Sequence, residues 1–228
     1  MSAARSALVG VDSSLGARLA LEHAAQRAGP GGRLIVAHAI SPQPSGVAAA
    51  VTQLEEMRRS AARELVDQLT ADAAVETETA VVDGSPAERL AALAREHHVN
   101  ELVVGSRGLG RFAASLGSVS HALLGEADRP VVVVPRSVAD RPRQMRGHGS
   151  CVVVVGYDGS EPSRAALAYA AERASGGGLV VAVHAFEPTP DWLGWPNYQE
   201  ALQAHQAQAA RWWASFRRKA SVPRWRPR

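Results

Sequence analysis

The residues best placed to do chemistry are Gly105, Ser106, Arg107 and Gly108, followed by Gly117 and Ser118. They come directly after an apolar run, Leu102-Val103-Val104. Glycines at the end of a strand let backbone N–H groups approach an anion, and the N-terminus of a following helix adds partial positive charge. Asp12 stands in a matching place, after Leu8-Val9-Gly10-Val11. Lys219 is the only lysine in the chain, so a P-loop, whose lysine follows its last glycine, is excluded. Any phosphate must be held by backbone amides, hydroxyls and arginine, and Arg107 and Arg111 are the candidate charges. Neither a supported Ser-His-Asp arrangement nor paired carboxylates accompany these glycines. The expectation is a site that binds and orients phosphate, in a protein that is not an enzyme.

The elements that must carry these residues can be read from apolar runs and helical stripes. Strands are expected at 6–11, 33–39, 76–82, 101–105 and 131–134. Ser13 or Ser14 can cap a first helix with the stripe Ala17, Ala20, Leu21, Ala24 and Ala28, stopped by Gly29-Pro30-Gly31-Gly32. A long helix over 51–71 shows Leu54, Met57, Ala61, Leu65 and Leu69 on one face. Ser85-Pro86 opens a third helix, with proline at its first position, and a fourth follows the glycine segment. Alternating strands and helices with nearly unbroken apolar strands imply a parallel sheet covered on both faces. Right-handed crossovers make it α/β and doubly wound, with strand order 3-2-1-4-5 expected. Ligands of such sheets sit beyond the strands' carboxyl ends at the switch point. Neighbouring first and fourth strands would bring Asp12 and residues 105–108 together there.

Residues 8–40 recur at 154–186 with a constant offset of 146. Val9-Gly10, Asp12, Ser14, Arg18, Ala24-Ala25, Arg27-Ala28, Gly31-Gly32 and His38-Ala39 all have identical counterparts. Two copies of one strand–helix–strand unit are therefore present. The second copy stops early. Its offset places a long helix at 197–219 and a third strand at 222–228, where two prolines forbid a buried strand. All five tryptophans fall in residues 192–228. The expected organisation is a complete domain at 1–137, a linker at 138–150 and a partial second repeat at 151–228 with a Trp/Arg-rich tail.

These residues resemble the universal stress protein family in its tandem bacterial form, over about 6–135 in full and 152–186 in part. Leu8-Val9-Gly10-Val11-Asp12 is similar to the family's first strand and its acidic position, and Val36-Ala37-His38-Ala39 to its second strand. Gly105-Ser106-Arg107-Gly108 with Gly117-Ser118-Val119-Ser120 resembles the G-x2-G-x9-G-[S/T] signature of the nucleotide-binding subgroup. Eight residues, not nine, separate Gly108 from Gly117, and one residue turns a helical segment by about 100°. The resemblance implies ATP as ligand, with Gly10 and Asp12 at the first strand's end and Asp12 accepting from the ribose or adenine region. It implies that Ala39 meets the adenine through its backbone and that Gly105 lies under the ribose. Gly108, Gly110 and Arg111 would wrap the phosphates, and Gly117, Ser118, Val119 and Ser120 would offer amide and hydroxyl donors. Any Mg2+ would be held mainly by the phosphates. The resemblance also implies a homodimer through the last strand, Val131–Val134, an apolar edge that is a liability unless paired. A dimeric interaction protein of the same fold that has lost its nucleotide is the alternative. Enzymes of the related adenine-nucleotide hydrolase type need a Ser/Gly-rich phosphate loop after strand one, which Asp12-Ser13-Ser14-Leu15 does not supply.

Asp158 repeats Asp12 without a facing glycine loop. His38 and His184 read as packed strand residues, and His97-His98 as a solvated helix end. The net charge of +3 conceals a division: residues 211–228 carry seven basic side chains and no acidic one, leaving −4 on the rest. Nucleic acid is not an expected partner of such a body. Cys151 is alone, which excludes an intrachain disulfide. No apolar run approaches the roughly 20 residues that span a bilayer, and the start lacks a signal-peptide core. A cytoplasmic location without membrane contact is expected.

Overall fold

The computed structural model describes residues 5–41, 48–71, 73–106, 116–137, 152–174 and 178–184, with Gln203, Ala207 and Arg211. These fall into two compact units, residues 1–147 and 148–228.

In the first unit five strands form one parallel sheet in the order β3-β2-β1-β4-β5. They are β1 (Ser6–Gly10), β2 (Arg33–Ile40), β3 (Glu76–Asp83), β4 (Glu101–Gly105) and β5 (Val131–Val134). Between them run α1 (Leu15–Ala28), α2 (Ala48–Thr70), α3 (Pro86–Glu96) and α4 (Ser118–Glu126). This is the doubly wound α/β sheet expected from the strand character. β1 is central, and Leu8 and Val9 are both fully buried because successive side chains enter opposite cores. Val9, Val36 and Val103 pack under Ala17, Ala20 and Ala24 of α1 and Val66 of α2. On the other face Leu8, Ile35 and Leu102 pack under Leu90, Ala91 and Ala94 of α3 and Leu123 of α4.

One local reading needs correction and another is narrowed. The buried positions of α2 are Ala62 and Val66, with Leu69 partly packed, whereas Leu54 and Met57 are 53% and 62% exposed. Among the described side chains of α2, those that join the core lie in its C-terminal half, and their contact row lies one residue from the expected one. Ser14, not Ser13, caps α1: its hydroxyl accepts from the Ala17 amide at 3.2 Å. Asp12 is outside the helix and accepts from the Ser14 amide at 3.0 Å, an Asx turn leading into it. Ser85 stands at the α3 N-cap without a side-chain bond, and Pro86 follows it at the first helical turn.

The second unit has β6 (Val152–Gly156), α5 (Glu161–Arg173) and β7 (Leu179–Val183), with β6 and β7 parallel. Val155, Leu167 and Ala170 form its small core. The long helix expected at 197–219 lies outside the described residues, except that Gln203, Ala207 and Arg211 are helical and exposed. The third strand expected at 222–228, the linker 138–150 and Cys151 also lie outside them. Among the described residues no helix is long and apolar enough to cross a membrane.

Candidate functional site

The pairing of β1 with β4 sets Gly10 beside Val104, so the segments leaving both strands emerge at one carboxyl edge. This is the switch point of the sheet, where β1's helix and β4's helix depart to opposite faces. Asp12 leaves β1 there. Its Oδ1 is held by the Ser14 amide, and among the described residues Oδ2 has no hydrogen-bond partner.

Gly105 is required by close packing. A Cβ on it would sit 2.6 Å from the Gly16 carbonyl carbon and 2.8 Å from its oxygen, both backbone atoms that cannot swing away. This contact brings the first turn of α1 against the end of β4. Gly16 is a site-building residue that sequence reasoning missed, although a glycine inside a helix costs about 1 kcal/mol and signals a packing reason. Gly10 has a related role: a Cβ there would lie 2.7 Å from Leu90 Cδ1.

The glycine segment is closed at its base. Ser106 donates its amide to the Val134 carbonyl at 2.9 Å, and the Gly117 amide donates to the Ser106 carbonyl at 2.7 Å. The buried Ser120 hydroxyl lies 3.0 Å from the Gly117 carbonyl and 3.4 Å from that of Ser106. Residues 106 and 117 are thereby held together directly. The Ser120 hydroxyl serves this closure. Gly117 caps α4 without a side-chain bond. The first-turn amides of an α-helix lack intrahelical acceptors, and Ser118 at this end is exposed. Val119 is half-buried on the α3 side of the sheet. Arg107, Gly108, Gly110 and Arg111 lie outside the described residues.

Ala39 stands near the end of β2, beside Val82 of β3. Ala37 accepts from the Val11 amide, and Ile40 accepts from the Gly84 amide. Odd residues at this end of β2 therefore address β1 and even ones β3. His38 Nδ1 lies 2.7 Å from the Val11 carbonyl oxygen. A carbonyl only accepts, so Nδ1 carries the proton. Reading His38 as a packed strand residue missed this bond. Its only sequence signal is its recurrence as His184, whose Nδ1 stands 2.7 Å from the Tyr157 carbonyl. Among the described residues no cluster of His, Cys, Asp or Glu could hold a metal ion.

The edge thus combines a carboxylate with one unengaged oxygen, a glycine segment closed at its base and a helix start free of side-chain caps. The universal stress protein family model matches residues 4–135. The chain belongs to the universal stress protein family. A universal stress protein of Mycobacterium tuberculosis is 31% identical over 174 residues, covering 72% of this chain and 53% of that protein. The chain thus spans about half the length of that curated relative. A universal stress protein of known structure from Archaeoglobus fulgidus is similar over 89% of this chain and 74% of its own, with a TM-score of 0.59 at 19% identity. That likeness is one of fold. A universal stress protein solved in complex with cAMP is 30% identical, covering 58% of this chain and 98% of its own, with a TM-score of 0.46.

Proposed function

We propose that this universal stress protein binds ATP at the carboxyl edge of its first sheet and acts as a nucleotide-responsive stress or signalling regulator rather than an enzyme. The observation that carries this reading is the adjacency of β1 and β4. It sets the Asp12 turn beside Gly105, and the Ser106–Gly117 closure brings the α4 N-terminus to the same edge. In this reading Asp12 Oδ2 accepts from a ribose hydroxyl, the Ala39 backbone meets the adenine, and the first-turn amides of α4 at Ser118 and Val119 face the phosphates; the Gly117 amide, expected as a further donor, is taken by the Ser106 carbonyl. Amide donors and a helix N-terminus hold phosphate without a lysine. Arg107 and Arg111 would add charge, and Mg2+ would ride on the phosphates.

The proposal includes a cytoplasmic protein that pairs two chains through Val131–Val134. β5 is an edge of its sheet and three of its four valines are only half-buried, the arrangement that edge pairing relieves. Light scattering at tens of micromolar (a concentration chosen for convenience) is expected to give a dimer, and a stable monomer would remove that part.

The function is tested by calorimetric titration with ATP and AMP. The wild type is expected to bind and Asp12→Ala to bind more weakly. Wild-type protein that releases no heat and shows no competition from either nucleotide would leave the alternative, a dimeric interaction protein of the same fold.

A further inference from the structure

The end of β2 contains a substitution of one hydrogen bond for another. In a parallel ladder the Val11 carbonyl would take its proton from the Ala39 amide, since the Val11 amide already donates to Ala37. No such bond from Ala39 is present. The His38 ring takes that carbonyl instead, at 2.7 Å. Val11 is 6% exposed, and a buried carbonyl needs a partner. The ring supplies one and leaves the Ala39 N–H, directed toward the β1 side, out of the ladder.

The same device recurs in the second unit. The Tyr157 amide donates to the Val183 carbonyl at 2.8 Å, and His184 Nδ1 lies 2.7 Å from the Tyr157 carbonyl. Two copies that have diverged elsewhere build the same side-chain bond at the same register, so the bond belongs to the local design of this strand end.

We infer that His38 is a positioning residue of the adenylate site: its ring replaces the ladder bond from Ala39 to Val11, anchors the turn that carries Asp12, and frees the Ala39 N–H for a ring-nitrogen acceptor of the base. This rests on the proposed function for the identity of the ligand. It goes beyond it in naming the group that makes the amide available. Val11 precedes Asp12 directly. Tying both of its backbone groups to β2 fixes where the carboxylate begins, and the Asx turn to Ser14 fixes where it points.

The test uses the full chain and reads both halves. Amide hydrogen exchange by NMR is expected to show Ala39 exchanging fast in the nucleotide-free wild type and slowing when ATP is added. In His38→Leu the ladder closes, so Ala39 is protected without nucleotide. ATP affinity then falls about three- to tenfold, the worth of one net hydrogen bond. His38→Asn restores a side-chain donor and is expected to recover both the fast exchange and most of the affinity. His184→Leu is expected to leave ATP affinity unchanged. An Ala39 amide already protected in the nucleotide-free wild type, or His38→Leu with wild-type affinity, overturns the inference while the proposed function stands. A wild type that does not bind ATP overturns the proposed function and the ligand half of this inference, and Ala39 exchange in the nucleotide-free protein still decides the ladder half.

Discussion

The two repeats share their turn, cap and histidine hydrogen bonds and differ in what covers them. Asp12 and Asp158 each accept from a serine amide two residues on, at 3.0 and 2.9 Å. Ser14 and Ser160 each cap a helix, at 3.2 and 3.3 Å. His38 and His184 each reach the carbonyl 27 residues earlier. Yet Leu8, Ile35 and Ala37 are buried beneath α3, whereas their counterparts Val154, Val181 and Val183 are 65%, 37% and 46% exposed. Local sequence builds the strand–helix–strand unit twice. Burial of its second face requires elements that, among the described residues, only the first repeat has. The ligand site proposed at the sheet edge has the same requirement, because half of it would come from β4 and α4.

The largest expected difference is in core truncation. Leu8→Ala should cost about 2–5 kcal/mol, as fully buried leucines do. Val154→Ala, at the equivalent place, should stay within about 0.5 kcal/mol, as exposed positions do. Urea denaturation of the two variants measures the gap, and equal losses would mean that the second unit's face is covered in solution.

Glycine replacements follow. Gly105→Ala drives a Cβ against the Gly16 backbone, and overpacking of that kind costs about 1–3 kcal/mol. Gly10→Ala meets the Leu90 side chain, whereas a Cβ on its counterpart Gly156 meets nothing within 4 Å. Gly156→Ala should therefore gain up to about 1 kcal/mol by restricting the unfolded chain. Thermal melts distinguish the three.

Smaller effects separate the helices. Burial, and then the neighbouring Arg27, hold the His23 pKa below its usual 6.5, and its buried Nε2 has no hydrogen-bond partner among the described residues. The folded state keeps this ring neutral while the unfolded chain protonates it. Stability from this group is full above pH 6.5 and declines as pH falls below it. The second repeat has Tyr169 in that place, with Arg173 5.2 Å from its ring centroid. His23→Tyr should flatten the loss between pH 7 and 5, measured as urea midpoints across that range. An unchanged slope would remove His23 as its source.

The smallest effect is at Asp158. The Ser160 hydroxyl, with the Ser160 amide and the Ser163 hydroxyl, lowers its pKa to about 2. A carboxylate depressed in this way adds stability that is present above pH 3.8 and lost as pH falls toward 2. Carbon-detected NMR titration should place its midpoint near 2, and Asp158→Asn should abolish that acid step together with the stability the carboxylate adds at neutral pH.

Much of this was legible from residue patterns, for physical reasons. Buried parallel strands must be apolar on both faces, so runs such as Leu102-Val103-Val104 announced themselves, and right-handed crossovers made the sheet doubly wound without fixing its strand order. The offset of 146 carried turn, cap and histidine together. The α2 stripe was misread because Ala61 with Leu65 and Ala62 with Val66 are equally good helical rows, and only the sheet decides between them. Gly16 was missed because its partner, Gly105, is distant in sequence. His38 was missed because an apolar strand context hides a hydrogen bond to another strand's carbonyl. On the edge, Asp12, Gly105 and Gly117 fell where the pattern put them, and the clamp of Ser106 onto Gly117 could not be read because it joins residues with no periodic relation in the sequence.

Native mass spectrometry of the freshly purified full chain tests the central claim most directly, with Asp12→Ala and Asp158→Ala prepared alongside. The account predicts one adenylate per chain on the wild type, retained by Asp158→Ala and lost or sharply reduced in Asp12→Ala. Wild-type protein that carries no adenylate and takes none up when ATP is added, or equal loading of all three proteins, would contradict it.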